Sequence, residues 1–325
     1  MKLSSKPKLV TLFGGSGFVG RYVVHELASR GYQVRVACRR PDLAGHLQTS
    51  GNVGQIHLVQ ANLRYPDSVN AAAKGSDVVI NLVGILQEFG KQKFDDVQYQ
   101  GARYVSEAAK KVGAKLIHMS AIGADAQSTS AYGSTKGRAE EAVREVIKST
   151  IIFRPSIIFG REDDFFNRFG AMARLAPALP LIGGGTTRFQ PVYVGDVAKA
   201  VAKAVDGELK PGKTYELGGP EVKTFRECLE LLLKEIGRSR LLLSLPWFAA
   251  STLGQLVGWL PGAPITHDQV IMLRTDNVVS EDAVRKELTL DGIGLTPTPM
   301  SAILPDYLVQ YRPSGQFTEI RKEDN

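Results

Sequence analysis

LFGGSGFVG (Leu12–Gly20) follows the short apolar run KLVTLF, Lys8–Phe13, and precedes a stretch with apolar residues at 19, 23, 24 and 27. The run reads as a buried strand, and Phe18–Arg30 reads as a helix stopped by Gly31. Gln33–Cys38 reads as a second strand. Gly14, Gly17 and Gly20 therefore take a G-x-x-G-x-x-G spacing inside a strand–turn–helix–strand unit, which is the context a dinucleotide-binding turn requires. The first glycine permits the tight turn, the second lets backbone approach a pyrophosphate, and the third lets the helix pack closely. The helix start, with Gly15, Ser16, Phe18 and Val19 around it, offers N–H groups and a positive dipole end to phosphates.

The alternation continues outward from that turn. Ile56–Gln60, Asp77–Val83, Lys115–Ser120 and Thr150–Ile158 read as strands. Asp67–Ala73, Phe94–Val112 and Thr135–Lys148 read as helices. Helices between apolar strands imply a parallel sheet covered on both faces. After Gly160 the pattern loosens into loops at Pro177, Pro180 and Gly183-Gly184-Gly185. Asp196 reads as the N-cap of VAKAVAKAV, and Thr224 with Glu227 as a capping box opening Phe225–Ile236. Pro313–Asn325 reads as a frayed polar tail. The expected fold is α/β, a Rossmann-type doubly wound parallel sheet with a smaller, mostly helical C-terminal domain. The expected domains are 1–160 and 161–325, with 190–220 returning to the Rossmann core.

The 325 residues are 43% hydrophobic and 22% charged, enough apolar material for a large core, and carry a net charge of +7. A basic balance suits nucleic acid, an anionic membrane surface or an anionic ligand. The basic groups, Lys2/Lys6/Lys8, Arg35/Arg39/Arg40 and Arg238/Arg240, accompany no nucleic-acid-binding motif, so that partner is not expected. Cys38 and Cys228 lie far apart, and His25, His46, His57, His118 and His267 show no ligand spacing, so neither a disulfide framework nor a metal is expected. MKLSSKPKLV has no apolar h-region and no transit-peptide pattern, and a cytosolic setting is expected.

The end of the second strand selects the nucleotide. NAD binders place an acid there for the ribose 2′-hydroxyl. VRVACRR instead has Cys38 at that place, followed by Arg39 and Arg40, and no carboxylate. Two guanidinium groups suit a 2′-phosphate, which favours NADP(H) over the alternative of two merely solvated arginines. Further on, YGSTK (Tyr132–Lys136) has the Y-x-x-x-K spacing. On a helix these two residues share a face, where an ammonium favours phenolate and brings a tyrosine into range for proton exchange.

GGSGFVG, the ACRR strand end, HMSAIG and YGSTK together resemble the short-chain dehydrogenase/reductase superfamily, of the extended or atypical kind, over nearly the whole chain. The resemblance implies Tyr132 as acid/base, Lys136 as its partner and Ser120 as a substrate-polarising hydroxyl. It implies cofactor contacts from Gly14, Gly15, Ser16, Gly17, Phe18, Val19, Gly20, Arg39, Arg40, Asn62, Leu63, Val83, Gly84, Ser120, Tyr132, Lys136 and Pro155. Ala121 and Ile122 stand where many extended members carry the assisting Ser or Thr, and Phe13 replaces a common threonine. Without that assisting hydroxyl, the resemblance implies a catalytic set short of one member.

IIFGREDDFFNRF (Ile157–Phe169), FQPVYVGDVAKA (Phe189–Ala200) and GRYVVHEL are similar to the dehydrogenase-like accessory subunit of respiratory complex I, NADH:ubiquinone oxidoreductase. That resemblance implies a tightly bound NADP(H), little or no turnover, and membrane-proximal complex I subunits as partners. The implied location is peripheral, on the cytoplasmic side of a bacterial inner membrane. The enzymatic alternative is an NADP(H)-dependent reductase, dehydrogenase or epimerase using Tyr132 and Lys136. By residue chemistry alone, Arg161, Glu162, Asp163 and Asp164 read as a salt-bridged turn ahead of a docking surface.

LLLSLPWFAASTLGQLVGWL (Leu241–Leu260) has no charge. Pro246 breaks a spanning helix, and the helix Trp247–Leu260 covers about 21 Å against a hydrocarbon core of roughly 30 Å. A buried helix is the first expectation. The alternative is a helix at an anionic lipid or partner surface, with Trp247 and Trp259 as anchors and Arg238/Arg240 near lipid phosphates.

Overall fold

A computed structural model describes residues 8–258 and 265–313. They form two units. The first holds the described residues up to Pro155 with Gly195–Leu217 and Ser280–Leu295. The second holds Ser156–Val194 with the described residues of 218–279 and 296–313.

The first unit opens with β1 (Leu9–Phe13), α1 (Phe18–Ser29), β2 (Gln33–Cys38), β3 (Ile56–Gln60) and α2 (Pro66–Ala73). It continues with β4 (Val78–Asn81), α3 (Gly101–Lys111), β5 (Lys115–Met119), α4 (Ala131–Val146) and β6 (Ile151–Pro155). In the second unit come β7 (Ile158–Phe159), α5 (Phe165–Leu175), β8 (Ala178–Ile182), β9 (Arg188–Phe189) and β10 (Val192–Tyr193). The chain returns to the first unit through α6 (Val194–Asp206) and β11 (Thr214–Leu217). β12 (Lys223–Thr224), α7 (Phe225–Glu235), β13 (Leu241–Leu245), α8 (Trp247–Val257) and α9 (His267–Met272) follow in the second. Then come α10 (Glu281–Arg285) in the first and α11 (Met300–Leu308) in the second.

The seven-stranded sheet has the order β11-β6-β5-β4-β1-β2-β3, and every pair in it is parallel. β1 leads to β2 on one side while β4 lies on the other. The ends of β1 and β4 therefore border the switch-point crevice where doubly wound sheets bind ligands. Phe13, Val79, Val105, Leu116 and Ile152 are among the buried residues of one of its cores. The second unit is mostly helical, with three two-stranded pairs, β7–β10, β8–β13 and β9–β12. Its core is aromatic: Phe165 lies 5.0 Å from Phe166 and 5.3 Å from Phe169, centroid to centroid, and Phe169 lies 5.4 Å from Phe225.

Several expectations need correction. The helix carrying YGSTK begins at Ala131, not Thr135, because Ser130 caps it by accepting from Gly133 N at 3.1 Å. Asp196 is not an N-cap: β10 runs directly into α6 at Val194, leaving Asp196 inside the first turn, where the helix dipole favours an acid. Phe94–Val112 is not one regular helix, since Asp95–Gln100 winds as a π-helical turn. The sixth strand ends at Pro155, and Ile158–Phe159 pairs elsewhere, with β10. The Thr224/Glu227 capping box is present in full.

The helix expected after Pro246 is present but only partly buried. Leu241–Leu245 is a strand paired parallel to β8, and α8 starts after Pro246. Ala250 is buried, but Leu241, Leu243, Phe248, Leu253 and Leu256 are exposed. Gly254 lets α9 approach, since a Cβ there would stand 2.7 Å from His267 N. Arg238 and Arg240 are committed within the unit, their Nε atoms donating to the carbonyls of Tyr311 and Ala173 at 2.7 and 2.8 Å. Trp259, Leu260, Lys2, Lys6 and the tail beyond Pro313 lie outside the described residues. Among the described residues, no helix is long and apolar enough to cross a membrane.

Candidate functional site

The glycine turn is built as its spacing requires. Gly14 has φ +83°, a region that side-chain-bearing residues avoid. A Cβ on Gly20 would lie 2.4 Å from Gly14 O and 2.5 Å from Gly15 Cα, so only glycine lets α1 start this close to the end of β1. Gly17 is the N-cap of α1 and carries no side-chain cap, which leaves the helix start to a ligand. Ser16 sits in the turn in hydrogen-bonding contact with Cys38 at the end of β2. Burial, the larger effect, raises the Cys38 pKa.

Beyond Cys38, Arg39 and Arg40 are both exposed. Cys38, not an acid, ends β2, as the sequence reads, but Asp42 beyond the strand takes Arg40 Nη2 at 2.7 Å. Arg39 makes no ion pair among the described residues. Asn62 follows β3 and accepts Arg64 N on its side chain at 3.2 Å, and Leu63 is buried against Gly101.

The other half of the site gathers at the ends of β4 and β5. Val83 packs against Gly14, where a Cβ would meet Val83 Cγ2 at 3.0 Å. A Cβ on Gly84 would lie 3.3 Å from Lys136 Nζ and 3.7 Å from Gln98 Oε1. Lys136 is buried, and its ammonium donates to the Met119 carbonyl at 3.1 Å. Burial lowers its pKa to about 8, partly offset by Glu140 one turn along α4. Glu140 is held by Arg154 through two 2.8 Å bonds. Lys136 Nζ lies 6.0 Å from the Tyr132 ring centroid, so the two residues share a face as the spacing predicts. Pro155 ends β6 and accepts Ile122 N at 3.0 Å.

Three buried polar atoms here have no hydrogen-bond partner among the described residues: Ser120 Oγ, Gln98 Oε1 and His118 Nε2. Orphaned buried groups are rare and call for an explanation. Together with the glycine cradle they fit a dinucleotide, whose pyrophosphate would meet the turn and whose other end would meet Ser120, Tyr132 and Lys136.

Sequence reasoning missed Gln98, Thr135, Asn81 and His118. Gln98 comes from the π-helical turn and donates to Thr135 Oγ1 at 3.2 Å, tying that turn to α4. Asn81 and His118 face each other across β4 and β5, with Asn81 Nδ2 and His118 Nδ1 at 3.3 Å. No spacing links these residues; only strand register and a non-standard helical turn bring them in. The GRED segment divides its roles. Asp163 is buried and accepts Phe166 N at 2.7 Å and Tyr307 Oη at 2.5 Å, while Arg161, Glu162 and Asp164 are exposed.

Residues 10–218 match the NAD dependent epimerase/dehydratase family. The mitochondrial NADH dehydrogenase [ubiquinone] 1 alpha subcomplex subunit 9 of Arabidopsis thaliana is 36% identical over 320 residues, covering 94% of this chain and 79% of that protein. A ceramide reductase of Caulobacter vibrioides is 32% identical over 190 residues, 58% of each protein. Among solved structures, the dTDP-glucose 4,6-dehydratase of Bacillus anthracis in complex with NAD superposes with a TM-score of 0.67 at 17% identity. That superposition covers 94% of this chain and 96% of that one.

Proposed function

Since the chain belongs to the NAD dependent epimerase/dehydratase family, we propose that it holds NADP(H) and serves as an accessory subunit of respiratory complex I. The observation that carries this reading is coverage. Likeness to the complex I subunit runs over 94% of the chain and so includes both units, whereas likeness to the ceramide reductase covers 58%. The nucleotide stabilises the fold because only the folded state binds it, by about 2.7 kcal/mol at a hundred times its dissociation constant. Arg39 is the guanidinium available to a 2′-phosphate, with Arg40 joining if Asp42 yields it. The second unit supplies the docking face to membrane-proximal subunits and anionic lipid. Leu241, Leu243, Phe248, Leu253 and Leu256 point outward there, on the cytoplasmic side of a bacterial inner membrane.

Purification of the tagged chain in mild detergent tests the assembly reading. Recovery with respiratory subunits supports it, and a lone soluble species that turns over NADPH refutes it. Thermal unfolding tests the nucleotide: NADPH raises the Tm more than NADH, and Arg39→Ala removes the difference. Equal shifts with both nucleotides refute the 2′-phosphate argument. If Tyr132→Phe leaves respiratory NADH oxidation intact while a ruined glycine turn abolishes it, the role is structural.

A second reading is favoured by the lowered Lys136 pKa and the orphaned Ser120 Oγ. It is carbonyl reduction, in which bound NADPH would supply hydride. Tyr132 would give the proton to the carbonyl oxygen, Ser120 would orient that oxygen, and Lys136 would hold the phenol in range. The ceramide reductase points to a lipophilic substrate. Loss of any NADPH-consuming activity in Tyr132→Phe, with nucleotide affinity kept, supports this reading over the first.

A further inference from the structure

Given nucleotide binding by the first unit, as proposed above, we infer that Asn81 and His118 form a buried positioning pair. The pair sets the Val83–Gly84 turn and the Met119 carbonyl for the nicotinamide half of the dinucleotide. Asn81 is the last residue of β4 and stands opposite His118 of β5 in the sheet register. Both are buried, at 2% and 1% exposure. Asn81 Oδ1 accepts Val83 N at 3.1 Å, which orients the amide. Its NH2 group therefore faces His118 Nδ1, 3.3 Å away. The imidazole must accept there, so its proton belongs on Nε2.

The pair touches both halves of the site through its neighbours. The Val83 N–H that it fixes belongs to the residue packed against Gly14 of the phosphate turn. The next residue, Gly84, abuts Lys136 Nζ. On β5, the residue after His118 supplies the carbonyl that holds the Lys136 ammonium. A shift of the imidazole would thus move the acceptor of Lys136 and the turn in front of it together. A protonated imidazole would set N–H against N–H and break the link. Burial, and secondarily the charge on Lys136, keep it neutral. The strand order places β4 and β5 on the far side of β1 from β2, hence on the side away from the adenosine ribose.

The test measures calorimetric affinity of the full chain for two probes. NADPH contains the nicotinamide half; 2′,5′-ADP lacks it. His118→Phe removes the acceptor and should weaken NADPH by about tenfold, the equivalent of one buried hydrogen bond, with 2′,5′-ADP unchanged. His118→Asn restores an acceptor near the Nδ1 position and should return NADPH affinity to within about twofold of the wild-type value. Unchanged NADPH affinity in His118→Phe, or parallel loss of both probes, overturns the pair. Nitrogen NMR of the wild-type imidazole needs no variant: a proton on Nε2 at neutral pH supports the pair, and one on Nδ1 overturns it. Should the wild-type chain bind neither probe, nucleotide binding itself fails and the pair's role falls with it. An Nδ1 proton with NADPH still bound sinks the pair alone.

Discussion

At the ends of β4 and β5, polar atoms are buried and left over. On β13 and α8, apolar side chains are left outside. Ser120 Oγ, Gln98 Oε1 and His118 Nε2 have no partner among the described residues, and an unmet buried polar group costs about 1–3 kcal/mol. A small molecule with a few well-placed oxygens and nitrogens can offset that. Phe248 is 75% exposed and Leu256 67%. Each forgoes part of the roughly 1.5–3 kcal/mol that full burial of such a side chain supplies. No small polar ligand recovers that; an extended apolar surface does. One chain thus presents two kinds of incompleteness, the first suited to a nucleotide and the second to a large partner.

The sharpest way to break the comparison is Gly20→Val. A Cβ only 2.4 Å from the Gly14 carbonyl meets backbone that cannot yield. NADPH affinity measured by calorimetry should fall by more than about a hundredfold, and stability by about 3 kcal/mol from overpacking. Retained affinity would mean that the turn is not the phosphate site.

Asp163→Ala probes the second unit, where the buried carboxylate is fully engaged. It removes the acceptor of the Phe166 N–H and one partner of the Tyr307 hydroxyl and should cost about 2–3 kcal/mol in urea unfolding. NADPH affinity should stay within about twofold. A large loss of affinity would show that the two regions do not act independently.

Acid titration sharpens the first region. In the fold, burial and Lys136 push the His118 pKa down to about 3, while an unfolded histidine takes up a proton near 6.5. Between those values the unfolded chain binds more protons, so this contribution is complete above pH 6.5 and is lost as pH falls. At pH 5 the loss is on the order of 2 kcal/mol. Denaturation midpoints of wild type and His118→Asn at pH 7 and pH 5 should reveal it as a steeper decline in the wild type. Parallel declines would remove the buried neutral imidazole.

The smallest effect on stability belongs to the outer face. Phe248→Ser with Leu256→Ser should shift the unfolding free energy by no more than about 0.5 kcal/mol per site. The same pair should reduce co-sedimentation with respiratory membranes. Unchanged co-sedimentation would assign docking to another face.

The parallel sheet, the glycine turn and the Tyr132–Lys136 face were legible in the amino-acid order, because each rests on local periodicity or on a spacing within one helical turn. The Thr224 capping box was legible for the same reason. Leu241–Leu260 was not. Its lack of charge says that it avoids water, yet a strand edge followed by a half-covered helix depends on which elements pack beside it, and Leu241–Leu245 becomes a strand by pairing with β8. The Arg40–Asp42 pair was not legible, because it depends on how the chain turns after β2. The order of residues alone was enough for the glycine turn after β1 and for the shared helix face of Tyr132 and Lys136, because both are local. That Asn81 meets His118, that Gln98 reaches Thr135 and that Lys136 is buried follows from the packed fold alone. The first two contacts each join residues 37 positions apart, and the third arises from burial by other elements; register and close packing specify them rather than any property of the residues alone.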